Sequence, residues 1–196
     1  MYKEDFLSRF LFTQPAEYHK GSFTRHLDFG HEEYQTAAVL IGLVERDAGL
    51  NMILTRRASH LRHHPGQISF PGGKTEKGDA SPFETAMREA NEEIGLTANQ
   101  IEHLGQLTPI KTVSGFEVTP VIAFADNQYS PVTDPNEVDD VFEAPIEYLF
   151  NKGNIHSVEA HFQGTRRIVY NIPYNQHLIW GVTAQIIHTL HTQFTK

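Results

Sequence analysis

Residues 81–96, Ser-Pro-Phe-Glu-Thr-Ala-Met-Arg-Glu-Ala-Asn-Glu-Glu-Ile-Gly-Leu, specify a helix with both ends marked. Ser81 can accept a hydrogen bond from the first turn, Glu84 supplies the second half of a capping box, and Pro82 takes the first helical position. Gly95 stands where a C-terminal cap belongs. At about 100° per residue, Phe83, Met87, Ala90 and Ile94 gather on one side, while Glu89, Glu92 and Glu93 fall within roughly 100° of arc on another. Such a helix needs an apolar surface for the first face and a counter-charge for the second, because like charges at these spacings destabilise one another. A hard divalent cation such as Mg²⁺ answers that need with oxygen ligands. A solvated acidic face beside Arg88 answers it too. On the helix alone the two readings weigh equally, so its surroundings must decide.

Those surroundings read as strands and turns. Gln35 to Val44 is a continuous apolar run, as in a buried strand. A turn at Asp47-Ala48-Gly49 leads to a second strand over 51–57, so the two are expected to form a hairpin. Residues 58–67 read as a polar, basic loop. A short strand from Gln67 to Phe70 is stopped by Pro71-Gly72-Gly73, and 74–80 read as loop. Strands are expected over 101–111 and 116–125, joined near Ser114-Gly115, and then a loop from Asp126 to Asn136. A helix is expected over 3–13, with irregular chain over 14–34 around Pro15, Gly21 and Gly30. A short helix is expected over 145–150 and a hairpin of 155–163 with 165–172 around Gly164. Trp180, Ala184, Ile187, Leu190 and Phe194 recur at helical spacing, which predicts a last helix over 180–194 packed on a sheet. No repeat or linker interrupts this order. One α/β (α+β) domain over 1–196 is the simplest reading.

Composition narrows the chemistry. The 196 residues include no cysteine, so thiolate metal sites, disulfides and thiol nucleophiles are excluded. The formal net charge of −8 gives no long-range attraction for nucleic acid or an anionic membrane, so neither is an expected partner. No apolar stretch approaches the roughly 20 residues needed to span a bilayer. The start, Met-Tyr-Lys-Glu-Asp-Phe-Leu, has no signal-peptide pattern, so a cytoplasmic location is expected. A phosphate-bearing substrate would need local cations or metal ions. The twelve histidines have no single physical account.

The segment feeding the helix is Phe70-Pro71-Gly72-Gly73-Lys74-Thr75-Glu76-Lys77-Gly78-Asp79. A strand, a glycine turn, a loop and an acidic helix in this order resemble the Nudix box: Gly, five residues, Glu, seven residues, then Arg-Glu-apolar-x-Glu-Glu-x-Gly-apolar. Arg88 to Leu96 match its second half. The first half departs twice: Asp79 stands where Glu is usual, and eight residues rather than seven separate it from Arg88. The extra residue is expected before Ser81, which leaves the helix register untouched and puts the role of Asp79 in question. The resemblance implies an α/β/α sandwich with a mixed sheet between helices and the box at 72–96, the N- and C-terminal helices packing on it. It also implies Mg²⁺ or Mn²⁺ held by Glu89 and Glu93, with Glu92 sharing a metal or orienting water and the Gly73 carbonyl as a backbone ligand. Arg88 is expected to pair with a loop acid and set the helix. The metal would bridge a pyrophosphate and lower the pKa of the attacking water.

Residues 53–72, ILTRRASHLRHHPGQISFPG, hold Arg56, Arg57, Arg62, His60, His63 and His64 and no acid. In an acidic chain this is a local positive patch, and arginine suits phosphate because its planar fork donates two parallel hydrogen bonds. A basic surface loop balancing acids elsewhere is the plainer alternative, and for His60, His63 or His64 taken singly it is the stronger one. As a unit, Leu54-Thr55-Arg56-Arg57 followed by Leu61-Arg62-x-His64-x-Gly66-Gln67-Ile68-Ser69-Phe70-Pro71-Gly72-Gly73-Lys74 resembles the signature that precedes the box in coenzyme A pyrophosphatases. The extra box residue is similar to that subgroup. So are Glu137-Val138-x-x-Val141-Phe142 with Pro145, and Ile179-Trp180-Gly181-x-Thr183-Ala184. The resemblance spans roughly residues 37–190.

It implies cleavage of coenzyme A to 4′-phosphopantetheine and adenosine 3′,5′-bisphosphate. Arg57 and Arg62 are expected at phosphate; Arg56, His64, Gln67 and Ser69 are further substrate-binding candidates. Glu92 is the first candidate for the general base and Glu137 the second, with a solvated loop acid an equal alternative for Glu137. ADP-ribose, NADH or a dinucleoside polyphosphate offers the helix the same bond, so only residues 54–70 favour coenzyme A. A non-catalytic nucleotide-binding module is a third reading, with no reason to keep Glu89, Glu92 and Glu93 together. Monomer and homodimer are both open.

Overall fold

The structure is a computed structural model that describes residues 1–18, 33–162 and 165–195. The expectations for Gly21, Gly30 and the Gly164 turn lie outside these residues. Its elements in chain order are α1 (Lys3–Phe12), β1 (Gln35–Arg46), β2 (Gly49–Arg57), β3 (Ile68–Ser69), β4 (Gly72–Lys74), α2 (Pro82–Ile94), β5 (Ile101–Gln106), β6 (Ile110–Lys111), β7 (Phe116–Ala125), β8 (Val138–Pro145), α3 (Ile146–Leu149), β9 (His156–Phe162), β10 (Thr165–Tyr174), β11 (His177–Trp180) and α4 (Val182–Phe194).

The main sheet is mixed. β1 runs parallel to β7 over ten paired positions, and its other strand pairs are antiparallel. Because side chains alternate along a strand, the apolar run of β1 serves two cores. Ala37, Ile41 and Leu43 face one, shared with α1, α4 and the β9–β10–β11 sheet; Ala38, Leu40 and Val44 face the other, against Ala86, Met87, Ala90 and Ile94 of α2. This is the mixed sheet between helices that the sequence implies. On the first side Phe6 of α1 meets Phe194 of α4 edge-on, ring centroids 4.8 Å apart.

A fork in this sheet positions the box. β1 and β2 pair only at Leu43–Arg46 with Gly49–Met52, then diverge. Residues 68–74 fill the gap: β3 pairs with Thr55–Arg56 of β2, and β4 pairs with Ala37–Val39 of β1. The Pro71 carbonyl accepts the Leu40 N–H at 2.8 Å, which ties the turn between them into the sheet. Gly72 and Gly73, expected to end a strand, are therefore strand residues in the middle of the sheet.

α2 forms as its sequence marks it. Ser81 Oγ accepts the Glu84 N–H at 3.2 Å, Pro82 opens the helix, and Gly95 closes it at φ 69°. The Glu84 carboxylate reaches back to the Ala80 N–H rather than to that of Ser81. The last carbonyls of α2 are claimed by the loop before β8. Ile94 O accepts from Tyr129 Oη–H and from the Val132 N–H, and Glu93 O accepts from the Asp134 N–H.

Four details differ from the sequence expectation. Residues 101–111 form two strands, because the Leu107 N–H turns to Pro120 O between β5 and β6. Residues 138–145, not expected as strand, form β8 along the whole free edge of β2. Residues 177–180 form β11, which pairs with β10, so the last helix starts at Val182 after Gly181 at φ 65°. Trp180, placed on the packed face of that helix, is a strand residue instead and stays 44% exposed.

Gly95 tests the end of α2. A Cβ there would meet Val132 Cβ at 3.0 Å, and the left-handed backbone is unfavourable for an L side chain. Gly95→Ala is expected to lower stability by about 1–2 kcal/mol, read as a fall in denaturant midpoint at unchanged slope. An unchanged midpoint would show that the cap is dispensable.

Candidate functional site

The site lies where α2 crosses the fork. Glu89 and Glu93, one helical turn apart, project toward β4, and Glu137 arrives from the loop that caps α2. Carboxylate oxygens of Glu89, Glu93 and Glu137 lie within 4.8 Å of one another. Glu137 is held there by the backbone: its N–H donates to Asp134 O at 3.1 Å and its carbonyl accepts the Ala58 N–H at 2.8 Å. Asp134 in turn is fastened to the end of α2, so one loop both caps the helix and delivers the third acid.

Glu93 is only 2% exposed. Its Oε2 accepts the Gly72 N–H at 3.3 Å, and Arg57 Nη1 stands 3.9 Å from Oε1. Burial pushes its carboxyl up to about 8, and the charges of Glu89 and Glu137 add to this against the Gly72 hydrogen bond and Arg57. Burial also raises Glu89, against the pull of Arg88. A Cβ on Gly73 would fall inside the Glu89 carboxylate, so this position must be glycine for the acid to lie flat on β4. Three acids converge around buried Glu93, which has one long contact to Arg57 while Arg88 pairs with Glu89, and their oxygens suit a hard divalent cation.

Arg88 organises the surrounding loop. Its Nε and Nη2 donate to the two oxygens of Asp79 at 3.2 and 3.0 Å, Nη2 also to Lys74 O at 2.8 Å, and Nη1 to Glu89 and Glu92 at 3.0 and 3.1 Å. The Arg88 hydrogen bonds hold the Asp79 carboxyl down at about 2. The shortened side chain and extra residue at Asp79 thus leave a two-pronged pair intact. Glu92 is half exposed, is engaged by Arg88 and stands outside the three-acid group.

Beside the acids opens a cavity of about 630 Å³. Arg57, His63, His64, Gln67, Ser69 and Lys74 line it, together with Gly72 and Gly73. Its far walls come from β1, β7 and α4: Val39, Phe116, Val118, Val182 and Ile186, with Thr112 and Thr183 between them. Of the sequence candidates, Arg57, His64, Gln67, Ser69 and Gly73 therefore share one space, while Arg56 and Arg62 do not line it. Arg62 is exposed, and the buried Arg56 Nε has no hydrogen-bond partner. Lys74 and the α4 wall were not singled out from sequence, and His63 was weighed there as a residue of a basic surface loop. Lys74 and His63 lay inside quoted motifs, and Val182 and Ile186 look like ordinary core.

The Glu93 carboxyl makes the metal-free protein sensitive to pH. Unfolded, it ionises near 4.5; folded, near 8. Ionisation therefore opposes folding between these values, so this group's contribution falls as pH rises from about 5 to about 8. Metal-free protein is expected to lose melting temperature across that range, and Glu93→Gln to flatten the slope. A parallel slope in the variant would remove Glu93 as its source.

Comparison with known proteins agrees with this geometry. The NUDIX domain family profile matches residues 33–162, more than half of the chain. An uncharacterized Nudix hydrolase NudL of Yersinia enterocolitica is 39% identical over 96% of this chain and 91% of its own length. The NudL of Yersinia pestis is 35% identical over 98% and 94%. Among solved structures, the Nudix hydrolase RenU of M. smegmatis superposes with a TM-score of 0.51 at 22% identity, over 60% of this chain and 74% of that one. A MutT/nudix family protein from Enterococcus faecalis also gives 0.51, at 16% identity, over 97% and 68%. At these identities the structures speak for the fold alone, whereas the profile and the sequence relatives decide the family: the chain belongs to the Nudix hydrolases and is a pyrophosphohydrolase.

Proposed function

We propose that this enzyme hydrolyses the pyrophosphate bond of coenzyme A or its derivatives, giving 4′-phosphopantetheine and adenosine 3′,5′-bisphosphate. The observation that carries the reading is the shared cavity. Arg57, His63, His64, Gln67 and Ser69 of the basic segment line the same space as Gly72 and Gly73, the glycines that touch Glu93 and Glu89. That segment carries the tightest part of the resemblance to coenzyme A pyrophosphatases.

Glu89, Glu93 and Glu137 would hold Mg²⁺ or Mn²⁺, which, when bound, supplies Lewis-acid stabilisation of the pyrophosphate oxygens and a more acidic water. Arg57 stands beside Glu93, so its guanidinium is placed to meet the phosphate that is cut rather than a phosphate at the far end of the substrate. Arg88 positions Glu89 and the Asp79 loop and needs no contact with substrate. Glu137 is better placed than Glu92 to take a proton from the attacking water, because it belongs to the three-acid group while Glu92 is turned to Arg88. Described residues include no helix long and apolar enough to cross a membrane, which suits a small soluble substrate in the cytoplasm.

The test is a panel of coenzyme A, dephospho-coenzyme A, ADP-ribose, NADH and a dinucleoside polyphosphate with Mg²⁺ or Mn²⁺, products identified by mass. Coenzyme A is expected to lead, and Glu93→Gln to cost at least about a hundredfold in kcat, because an amide is a poor ligand for a hard cation. A lead for ADP-ribose or a dinucleotide would keep the enzyme class and overturn the substrate. The placement of Arg57 adds a sharper expectation: Arg57→Ala should reduce turnover of coenzyme A and dephospho-coenzyme A alike. A loss confined to coenzyme A would move Arg57 to the 3′-phosphate.

A further inference from the structure

The cavity has two unlike parts. Its basic residues, Lys74, His63, His64 and the partly exposed Arg57, lie toward solvent. Its buried lining, which includes Ile186 at 1% exposure, Val118 and Phe70, contains no charged side chain. What polarity the buried walls have is hydroxyl: Thr112, whose Oγ1 already accepts the Phe116 N–H at 3.0 Å and donates to Phe116 O at 3.2 Å, and Thr183, whose Oγ1 donates to Ile68 O at 3.1 Å and keeps its lone pairs. Phe116 borders the two parts, with Lys74 Nζ 5.3 Å from its ring centroid.

Resting on the coenzyme A reading above, we infer that the cleft between α4 and β1/β7 takes the pantetheine half of the substrate, and that the adenosine 3′-phosphate half stays at the cationic mouth. The two halves differ in what burial does to them. The 3′-phosphate would have to shed its water against walls that offer no cation, which is strongly unfavourable. The pantetheine half is an aliphatic chain with two amides and a terminal thiol. Its methylenes and methyls suit Val39, Val118, Val182 and Ile186, and its amide N–H groups can donate to the threonine hydroxyls, whose lone pairs accept. Continuity with the acids fixes the direction. Gly72 and Gly73 line the cavity and also touch Glu93 and Glu89, so a substrate whose pyrophosphate lies at the acids would enter the cavity at these glycines. An adenine ring in the cleft is the competing occupant, and Phe116 offers a stacking surface for it.

Product inhibition separates the two occupants. With coenzyme A as substrate and Mg²⁺ present, inhibition constants for 4′-phosphopantetheine and adenosine 3′,5′-bisphosphate are measured for wild type, Val182→Phe and Phe116→Ala, melting curves confirming the fold. Val182→Phe, which fills the cleft from the first turn of α4, is expected to weaken 4′-phosphopantetheine about tenfold or more and to change the bisphosphate by less than about twofold. Phe116→Ala, which removes the stacking surface, is expected to change bisphosphate inhibition by less than about twofold, and a tenfold loss there would put the adenine ring in the cleft. If Val182→Phe weakens the bisphosphate instead, or neither product, the assignment of the cleft is overturned while the coenzyme A reading stands. Wild type that does not cut coenzyme A overturns the substrate reading first, and this inference with it.

Discussion

A carboxylate in a protein interior is unstable unless something meets its charge, and Glu93 is such a carboxylate with two others beside it. The rest of the structure can be read as what keeps it there. The fork between β1 and β2 brings Gly72 and Gly73 into the sheet, where one donates to Glu93 and the other leaves room for Glu89. The apolar face of α2, packed on Ala38, Leu40 and Val44, fixes the rotation of the helix so that both acids point at that fork. Arg88 holds the preceding loop, and the Tyr129–Asp134 segment holds the far end. Removing the acids would relieve repulsion, and the proposed cation is what would offset it.

Under the proposed function, the same scaffold would divide labour between recognition and chemistry. The acids sit on the α2 side of the sheet, while the cavity passes toward the side occupied by α4. Arg57, the last residue of β2, touches both. α2 carries Glu89 and Glu93, and β2 and β4 carry Arg57 and Lys74, whereas His63 and His64 at the mouth come from the loop over 58–67 and Glu137 from the loop before β8.

What was legible in the sequence is what local physics determines. The caps of α2, the two-faced apolar run of β1 and the turn at 47–49 are short-range signals, and each led to the element observed. β8 was not legible because its acids read as loop. Asp139 accepts the Ser59 N–H, and Glu143 pairs with Arg46 across the sheet, so the residues that spoil its alternation are satisfied by partners far away in sequence. β11 was hidden by coincidence: Trp180 continues the spacing of Ala184 and Ile187, and only the left-handed Gly181 separates strand from helix. At the site, helix geometry alone groups Glu92 with Glu89 and Glu93. The structure instead turns Glu92 to Arg88 and brings in Glu137, because a capping loop closes on the helix end, which no spacing rule describes. Asp79 runs the other way: a departure in spacing that put its role in question ends in the same loop-to-helix ion pair that Arg88 was expected to make.

Glu137, not Glu92, is proposed to complete the cation site. The most direct measurement is Mn²⁺ binding to the protein without substrate, by electron paramagnetic resonance titration, for wild type, Glu137→Gln and Glu92→Gln. The geometry predicts that Glu137→Gln weakens binding about tenfold or more while Glu92→Gln stays within about twofold of wild type. Strong loss in Glu92→Gln with little in Glu137→Gln would contradict it and return the site to the helix face alone.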